Sequence, residues 1–552
     1  MKSINGTDWK IKKIPERLIL KNKEYFNISY LLSNVFLDKK YTDEEIYNSI
    51  YKKQDKKLFF QNKDIINATD LLSNCIKNKK KILIFGDYDV DGYSSTYLLY
   101  DFFNKIDVDS EYFIPDRLLD GYGPNISLLK KLINKNNYEL IIFVDCGSNS
   151  INEINYLENC GLKSIIIDHH QIYEYKKNSK NTVIINPLKN LYQKEYSSFC
   201  ATTLVYFFVK YLVSFLKIEK EINLNKYLFF SAIATICDQM SLRGLNKSIV
   251  NIGLKNFGLN NIKNFNNLIN TKYKLTSNEI GFSLGPILNS ASRLGYPNMP
   301  IKLLNEKNKT NIDKISKKLI YLNERRKKIQ KKTINLLKKN FNIIDTEVIF
   351  KYKENINEGL LGIIAANFVE LYNRPSFILT NSSNLIKCSA RSINGYDIGN
   401  IFYLAFKKKI IISGGGHSMA GGCVLNKTKL IQFKDFLNNI YKKNLEIIDN
   451  SKYYISEQNY DSLFSFAKND LKYLEPIGND NSNPFFLIKK NKIIKLKVIK
   501  DQHLHVVIKS KSSKSCVCFA FNAVGTNLGD LLTNYKKDID LIVQINNKFL
   551  SK

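Results

Sequence analysis

Short apolar runs that end in acids organise this chain. Ile82 to Phe85, Ile141 to Val144 and Ile165 to Ile167 are uninterrupted apolar stretches separated by helical-looking segments, the pattern of buried parallel strands joined by crossover helices. From about residue 75 to 300 this alternation predicts a parallel α/β sheet. Between Lys302 and Asn340 the apolar positions Ile312, Ile315, Leu319, Leu322, Ile329 and Leu336 recur at helical spacing amid dense lysine. That spacing predicts one long amphipathic connector, whose basic face either lines a cleft or is simply solvated. A second α/β unit follows from Val348 to about residue 450. After Pro476 and Pro484 the pattern shortens to alternating runs at Lys492–Val498, His503–Ser510 and Ser515–Phe521, which predict a small β-barrel. Residues up to about 70 read as a polar, helical lead-in.

Composition narrows the classes. The 552 residues carry a formal charge of +32 with 44% hydrophobic residues. This is ample for several cores and gives a field that attracts polyanions, with binding that weakens as salt rises. The richness in Lys, Asn, Ile and Tyr also fits coding from an A+T-rich genome, so charge supports nucleic acid without choosing it. Thirty-three Tyr and thirty-three Phe offer stacking surfaces, most of them taken up in cores. No run of about 18 apolar residues suggests a membrane span; Leu204–Leu216 comes nearest and is broken by Lys210. The opening MKSINGTDWKIKK has no apolar h-region, so secretion is not expected. Nine cysteines without paired zinc spacing suit a reducing cytoplasm. Cys516 and Cys518 read as strand packing, and His503 and His505 as residues of an exposed sheet face.

The acids carry the chemistry. Asp87, Asp89 and Asp91 alternate in GDYDVDG directly after the first apolar run. Alternate residues of an extended segment share a face, so these carboxylates repel one another unless a cation joins them; the rival reading is an Asp-rich turn. Asp145 ends the second run, Asp168, His169 and His170 end the third in SIIIDHH, and Asp238 follows an apolar segment that reads as helix or strand. Polar groups at strand carboxyl ends lie where open α/β sheets place their ligands. Carboxylates and imidazole without thiolate pairs suit Mn²⁺ or Mg²⁺ better than structural zinc.

GDYDVDG, VDCG, DHH and Asp238, followed by PDRLLDGYG, INP, GFSLGPILNSASRLG, GLLGIIA, SARSINGYD and GGGHSMAGG, resemble the DHH phosphoesterase superfamily in its single-strand-specific exonuclease branch. The likeness runs from about residue 80 to the C-terminus. It implies a lead-in (1–70), a DHH domain (71–300), a connecting helix (301–345), a DHHA1 domain (346–450) and an OB-fold-like domain (451–552), the barrel being expected to lack the last strand or so of the family pattern after INNKF. It implies two divalent ions. Asp89 would bind one, Asp91, His169 and Asp238 the other, and Asp145 would bridge, while His170 faces the scissile phosphate and Asp168 orients an imidazole. The pyrophosphatase branch has histidine where Phe85 stands, so Asp87 is the expected substitute ligand. Asn357 replaces a histidine common in the nuclease pattern. Arg293, Ser389 and Arg391 are candidate phosphate contacts, with a surface ion pair as the rival for each arginine. Gly415, Gly416 and His417 are preferred as phosphate binders over a plain turn. The implied activity is 5′-to-3′ hydrolysis of single-stranded DNA to mononucleotides in repair and recombination. A phosphodiesterase on short RNA or cyclic dinucleotides, or a non-catalytic single-strand-binding scaffold, are the alternatives. Implied partners are single-stranded DNA, single-strand-binding protein and a helicase, with no membrane.

Overall fold

The computed structural model of the chain describes residues 1–4, 6–51, 62–172, 179–189, 194–257, 263–269, 275–339, 347–382, 384–443, 451–509, 515–534 and 537–545. It falls into two compact units, residues 57–449 and residues 1–56 with 450–552.

In the larger unit β1 (Lys81–Gly86), β2 (Ser110–Phe113), β3 (Tyr138–Val144), β4 (Lys163–Ile167) and β5 (Thr182–Ile185) form a parallel sheet in the order β2-β1-β3-β4-β5. The pleat sends Ile82, Ile84, Ile142 and Ile165 into one core and Leu83, Phe85, Ile141 and Phe143 into another, so both faces are covered and the strands read as unbroken apolar runs. Register then sets the site. Gly86 lies opposite Val144, Val144 opposite Ile167, and Ile167 opposite Ile185, so the residues that follow, Asp87, Asp145, Asp168 and Asn186, emerge along one rim.

Helix α1 (Val90–Lys105) leaves that rim, and α2 (Ala201–Leu216) and α3 (Leu224–Cys237) pack beside it. The segment before Asp238 is thus helical. The stretch Leu204–Leu216 belongs to α2, which is buried over most of its length. No helix among the described residues is long and apolar enough to cross a membrane. Two expected boundaries move. Residue 70 falls inside the helix Lys63–Lys77, whose Ile65, Ala68 and Leu72 belong to the sheet core, and residue 300 falls inside Met299–Asn305, whose Ile301 and Leu303 are also core.

Helix α4 (Gly285–Arg293) precedes the connector, α5 (Lys309–Lys338), a helix of 30 residues. Ile312, Leu319 and Leu322 are buried as spaced, but Leu336 is 41% exposed, and Ile334 and Leu337 take its place. The two halves of α5 serve different cores, so one apolar stripe does not run its whole length. Beyond it β6 (Ile349–Tyr352), β7 (Ser376–Ser382), β8 (Leu385–Arg391), β9 (Ser413–His417) and β10 (Ala420–Leu425) form a mixed sheet in the order β9-β10-β8-β7-β6, against which α6 (Leu361–Tyr372) packs.

The smaller unit is discontinuous. Strand Trp9–Ile11 pairs in parallel with Lys452–Tyr454, and Leu32, Val35 and Phe36 share a core with Phe466, Leu474 and Phe486. The lead-in up to Tyr51 is therefore part of the C-terminal fold. Here β11 (Phe485–Ile499), β12 (His503–Lys509), β13 (Ser515–Ala520) and β14 (Ile539–Gln544) make a curled antiparallel sheet in the order β13-β12-β11-β14. The run expected at Lys492 is the second half of a 15-residue strand that pairs first with β14 and then, past a register shift, with β12. His503 and His505 lie half-buried on β12, edge-on to Phe521 and Phe519. The residues after 545, including most of INNKF, lie outside the described residues.

Candidate metal centre and phosphate site

Local rules place the first acids. Asp89 is the N-cap of α1, its carboxylate accepting from the N–H groups of Asp91 (3.0 Å) and Gly92 (3.2 Å), as a short acidic side chain does at a helix start. A Cβ on Gly92 would stand 2.3 Å from the Asp87 carbonyl oxygen, so only glycine lets the turn close. Asp91 reaches the start of α2, where it accepts from Ala201 N (2.7 Å), Thr202 N (2.7 Å) and the Thr202 hydroxyl (2.6 Å). Those N–H groups have no partner within their own helix. Asp145 sits at φ 62°, a left-handed conformation that Asp and Asn tolerate best after glycine.

These elements bring the predicted residues together. His169 Nε2 lies 3.2 Å from Asp145 Oδ1, 3.4 Å from Asp238 Oδ2 and 3.7 Å from Asp91 Oδ2. Asp87, Asp89 and Asp145 form one group with potential ligand atoms within 4.8 Å of each other; Asp91, His169 and Asp238 form a second, and Asp145, His169 and His170 a third. Asp87 Oδ1, Asp145 Oδ1 and His169 Nε2 are buried without hydrogen-bond partners. Burial, and then neighbouring carboxylates, push Asp87, Asp145 and Asp238 well above the usual carboxylate range; burial likewise lifts Asp91 to about 6. A cation among them would relieve this repulsion.

The two histidines differ. Burial and the charge of His170 push His169 down to about 3, leaving a neutral ring. Burial opposes charge on His170 too, but the charge and hydrogen bond of Asp168 outweigh it and raise the ring to about 10. Asp168 Oδ1 pairs with His170 Nδ1 at 2.7 Å and accepts from His169 N (2.8 Å), while its Oδ2 accepts from Ser148 N (3.0 Å). Asp168 therefore orients His170 through its ring and His169 through its backbone.

A set of arginines stands near the rim, Arg117 within reach of the Asp87 charge and Arg293 of the Asp89 charge. Arg293, at the end of α4, donates from Nη1 to Gly359 O (2.7 Å). Ser389 and Arg391 face the first turn of α6, where a Cβ on Gly362 would lie 3.1 Å from Ser389 Oγ and 3.2 Å from Arg391 Nη2. Burial, and then the charges of Arg117, Arg391 and Arg326, lower Arg293 to about 9. None of these four arginines forms a salt bridge among the described residues, so the rival reading of Arg293 and Arg391 as surface ion pairs falls. Gly415 and Gly416 lie opposite Gly422 and Gly421, and a Cβ on Gly416 would stand 2.3 Å from Ala420 O. That tight hairpin sets His417 in a stack on His170, ring centres 5.7 Å apart.

Phe85 is fully buried between Phe113 and Phe143 and cannot serve the site. Asn357 accepts from Gly359 N (2.9 Å), so it shapes the turn that Arg293 grips. Sequence reasoning missed Arg117, packed 4.9 Å over the Tyr88 ring, and Tyr122, whose hydroxyl lies 3.3 Å from His170 Nε2. Both stand in the quoted PDRLLDGYG, a Gly-rich turn after a strand, which was the available signal. Thr202 gave none, because it acts through its backbone N–H and hydroxyl on a partner 111 positions away.

Comparison with known proteins agrees with this architecture. Residues 81–235 match the family described as DHH family, N-terminal domain, residues 345–443 the DHHA1 domain and residues 461–549 the RecJ OB domain. Residues 81–235 thus carry an N-terminal domain of the DHH family. The chain as a whole is similar to single-stranded-DNA-specific exonucleases RecJ. It is 27% identical to that of Bacillus subtilis (strain 168) over 478 residues, 82% of this chain and 57% of the relative. It is 27% identical to that of Haemophilus influenzae over 388 residues, 65% and 66% respectively. The chain thus covers less than two thirds of these relatives' length. The crystal structure of RecJ in complex with Mn²⁺ from Thermus thermophilus superposes with a TM-score of 0.78 at 20% identity, covering 93% of this chain and 74% of that one. The Mg²⁺ complex from the same organism gives 0.76 at 18%, covering 98% and 75%.

Proposed function

We propose that the chain is a metal-dependent exonuclease that hydrolyses single-stranded DNA from its 5′ end to mononucleotides, in DNA repair and recombination. The observation that carries this reading is the convergence of Asp87 Oδ1, Asp145 Oδ1 and His169 Nε2, buried and unpartnered amid mutually repelling carboxylates. Oxygen and imidazole donors without thiolate fit two Mn²⁺ or Mg²⁺ ions. Asp87, Asp89 and Asp145 would hold one, Asp91, His169 and Asp238 the other, with Asp145 common to both. When bound, such ions would lower the pKa of a water and offset charge on the attacking and leaving oxygens. The chain's own residues do the remaining work. Asp168 fixes His170, and its carboxylate favours the charged ring, which would offer a charge-assisted hydrogen bond to a phosphate oxygen. Arg117, Arg293 and Arg391 with Ser389 hold backbone phosphate, and His417, stacked on His170, closes the site from the second sheet. The single-strand specificity and the exonuclease chemistry follow the names of the relatives, whereas the 5′ polarity and the mononucleotide product rest on the resemblance of the motifs alone. An enzyme of this kind works on unpaired strands, so single-strand-binding protein and a helicase are its expected partners, and its free cysteines suit the cytoplasm.

The test uses single-stranded DNA labelled separately at each end, with Mn²⁺, Mg²⁺ or chelator. Asp145→Asn is the control, because Asn keeps the left-handed backbone and removes the charge. The reading expects metal-dependent release of mononucleotides from the 5′ end, lost in the variant while strand binding is kept. Cleavage only of very short oligomers would replace it with a dinucleotide phosphodiesterase, and binding without hydrolysis with a scaffold.

A further inference from the structure

Helix α5 offers a surface that the metal rim does not use. Lys314, Lys318, Tyr321, Arg325, Lys328 and Lys332 follow one another at three- and four-residue steps and all are exposed, so they form a single stripe along about 27 Å of helix. One acid borders the stripe, Glu324, three residues after Tyr321 and four before Lys328, and its carboxylate is taken up by Lys327 at 2.9 Å. Lys318 Nζ sits 5.3 Å from the Tyr296 ring and 5.5 Å from the Tyr321 ring, and Tyr321 is 57% exposed, a stacking surface bracketed by cations. Arg326, next to Arg325 in sequence but about 100° round the helix, is held by Asn323 Oδ1 (2.6 Å) and Gln330 Oε1 (2.8 Å). The link from the stripe to the arginine cluster is Lys318, whose Nζ stands over the ring of Tyr296, three residues beyond Arg293.

Resting on the exonuclease reading above, we infer that this stripe of α5 is the rail on which the not-yet-cleaved part of the DNA single strand lies, its phosphates on the five cations and one base on Tyr321. Exposed cations with an aromatic among them suit an unpaired strand, whose bases are free to stack. Binding is measured with chelator present, by titrating a labelled oligonucleotide at several salt concentrations. Each lost phosphate contact on a single strand lowers the slope of log K against log salt by about 0.7, so the variant K314Q/K318Q/R325Q/K328Q/K332Q should lose up to about 3.5. The off-stripe variant K309Q/K327Q/K331Q/K338Q removes four charges from the same helix and should lose well under half as much per charge. Tyr321→Ala should weaken binding about tenfold with the slope kept. Equal losses per charge in the two sets would reduce the effect to general charge and overturn the rail, as would no loss in either. A parallel hydrolysis assay of the unaltered chain separates the two readings. Strand cleavage with an unmoved stripe slope refutes the rail alone, whereas a stripe-specific slope change without cleavage upholds the rail and refutes the exonuclease.

Discussion

Replacing Thr202 by valine isolates the hold that the fold has on one ligand of the metal centre. The side chain is fully buried and its hydroxyl donates to Asp91 Oδ1 at 2.6 Å; valine keeps the volume and deletes the donor. A hydrogen bond to a charged group contributes about 1.5–3 kcal/mol. The Ala201 and Thr202 N–H groups still hold Asp91, so the helix start survives and only the carboxylate loosens. Partners of metal ligands typically account for about 10–100-fold in affinity or activity, or about 1.4–2.7 kcal/mol, so the two scales agree. Two assays are needed: urea unfolding with chelator, where the transition containing the larger unit should lose about 2 kcal/mol, and Mn²⁺ titration of the folded protein by calorimetry, where affinity should fall about tenfold or more. Thr202→Ser should restore both. If valine leaves Mn²⁺ affinity within threefold and the transition unmoved, Asp91 is held by the backbone alone and the reasoning fails.

Gly285→Ala would place a Cβ 2.5 Å from Cys237 Sγ, next to Asp238; such overpacking costs about 1–3 kcal/mol, and Cys237→Ala in the same chain should recover most of it, a coupling that a double-mutant cycle measures. Asn357→Ala removes the acceptor of Gly359 N and frees the turn whose carbonyl Arg293 grips; the expected result is a loss of about 1 kcal/mol in stability and a raised KM for strand cleavage with kcat kept, and a pure kcat effect would contradict it.

The strands were legible because a buried parallel strand has no polar positions to dilute its apolar run, and the rim because each such run ends in an acid. Asp238 was ambiguous by period: α3 is apolar all round, so AIATIC carries no amphipathic signature. Leu336 was misjudged because α5 changes cores along its length. The lead-in was unreadable for a different reason, since Leu32, Val35 and Phe36 pack against residues more than 400 positions later, and no local pattern names so distant a partner. Arg117 and Tyr122 stood in a recognised motif but took their roles from what they touch.

The discontinuity of the smaller unit has a consequence during synthesis. The helices up to Tyr51 leave the ribosome about 400 residues ahead of the segment that begins at Lys452 and covers them. At about 5–20 residues per second this is a wait of about 20–80 s, during which Leu32, Val35 and Phe36 present an uncovered apolar face. The first helices therefore wait through a long interval with only one another to pack against, and their partners in the core arrive with the segment from Ile455 to Phe486.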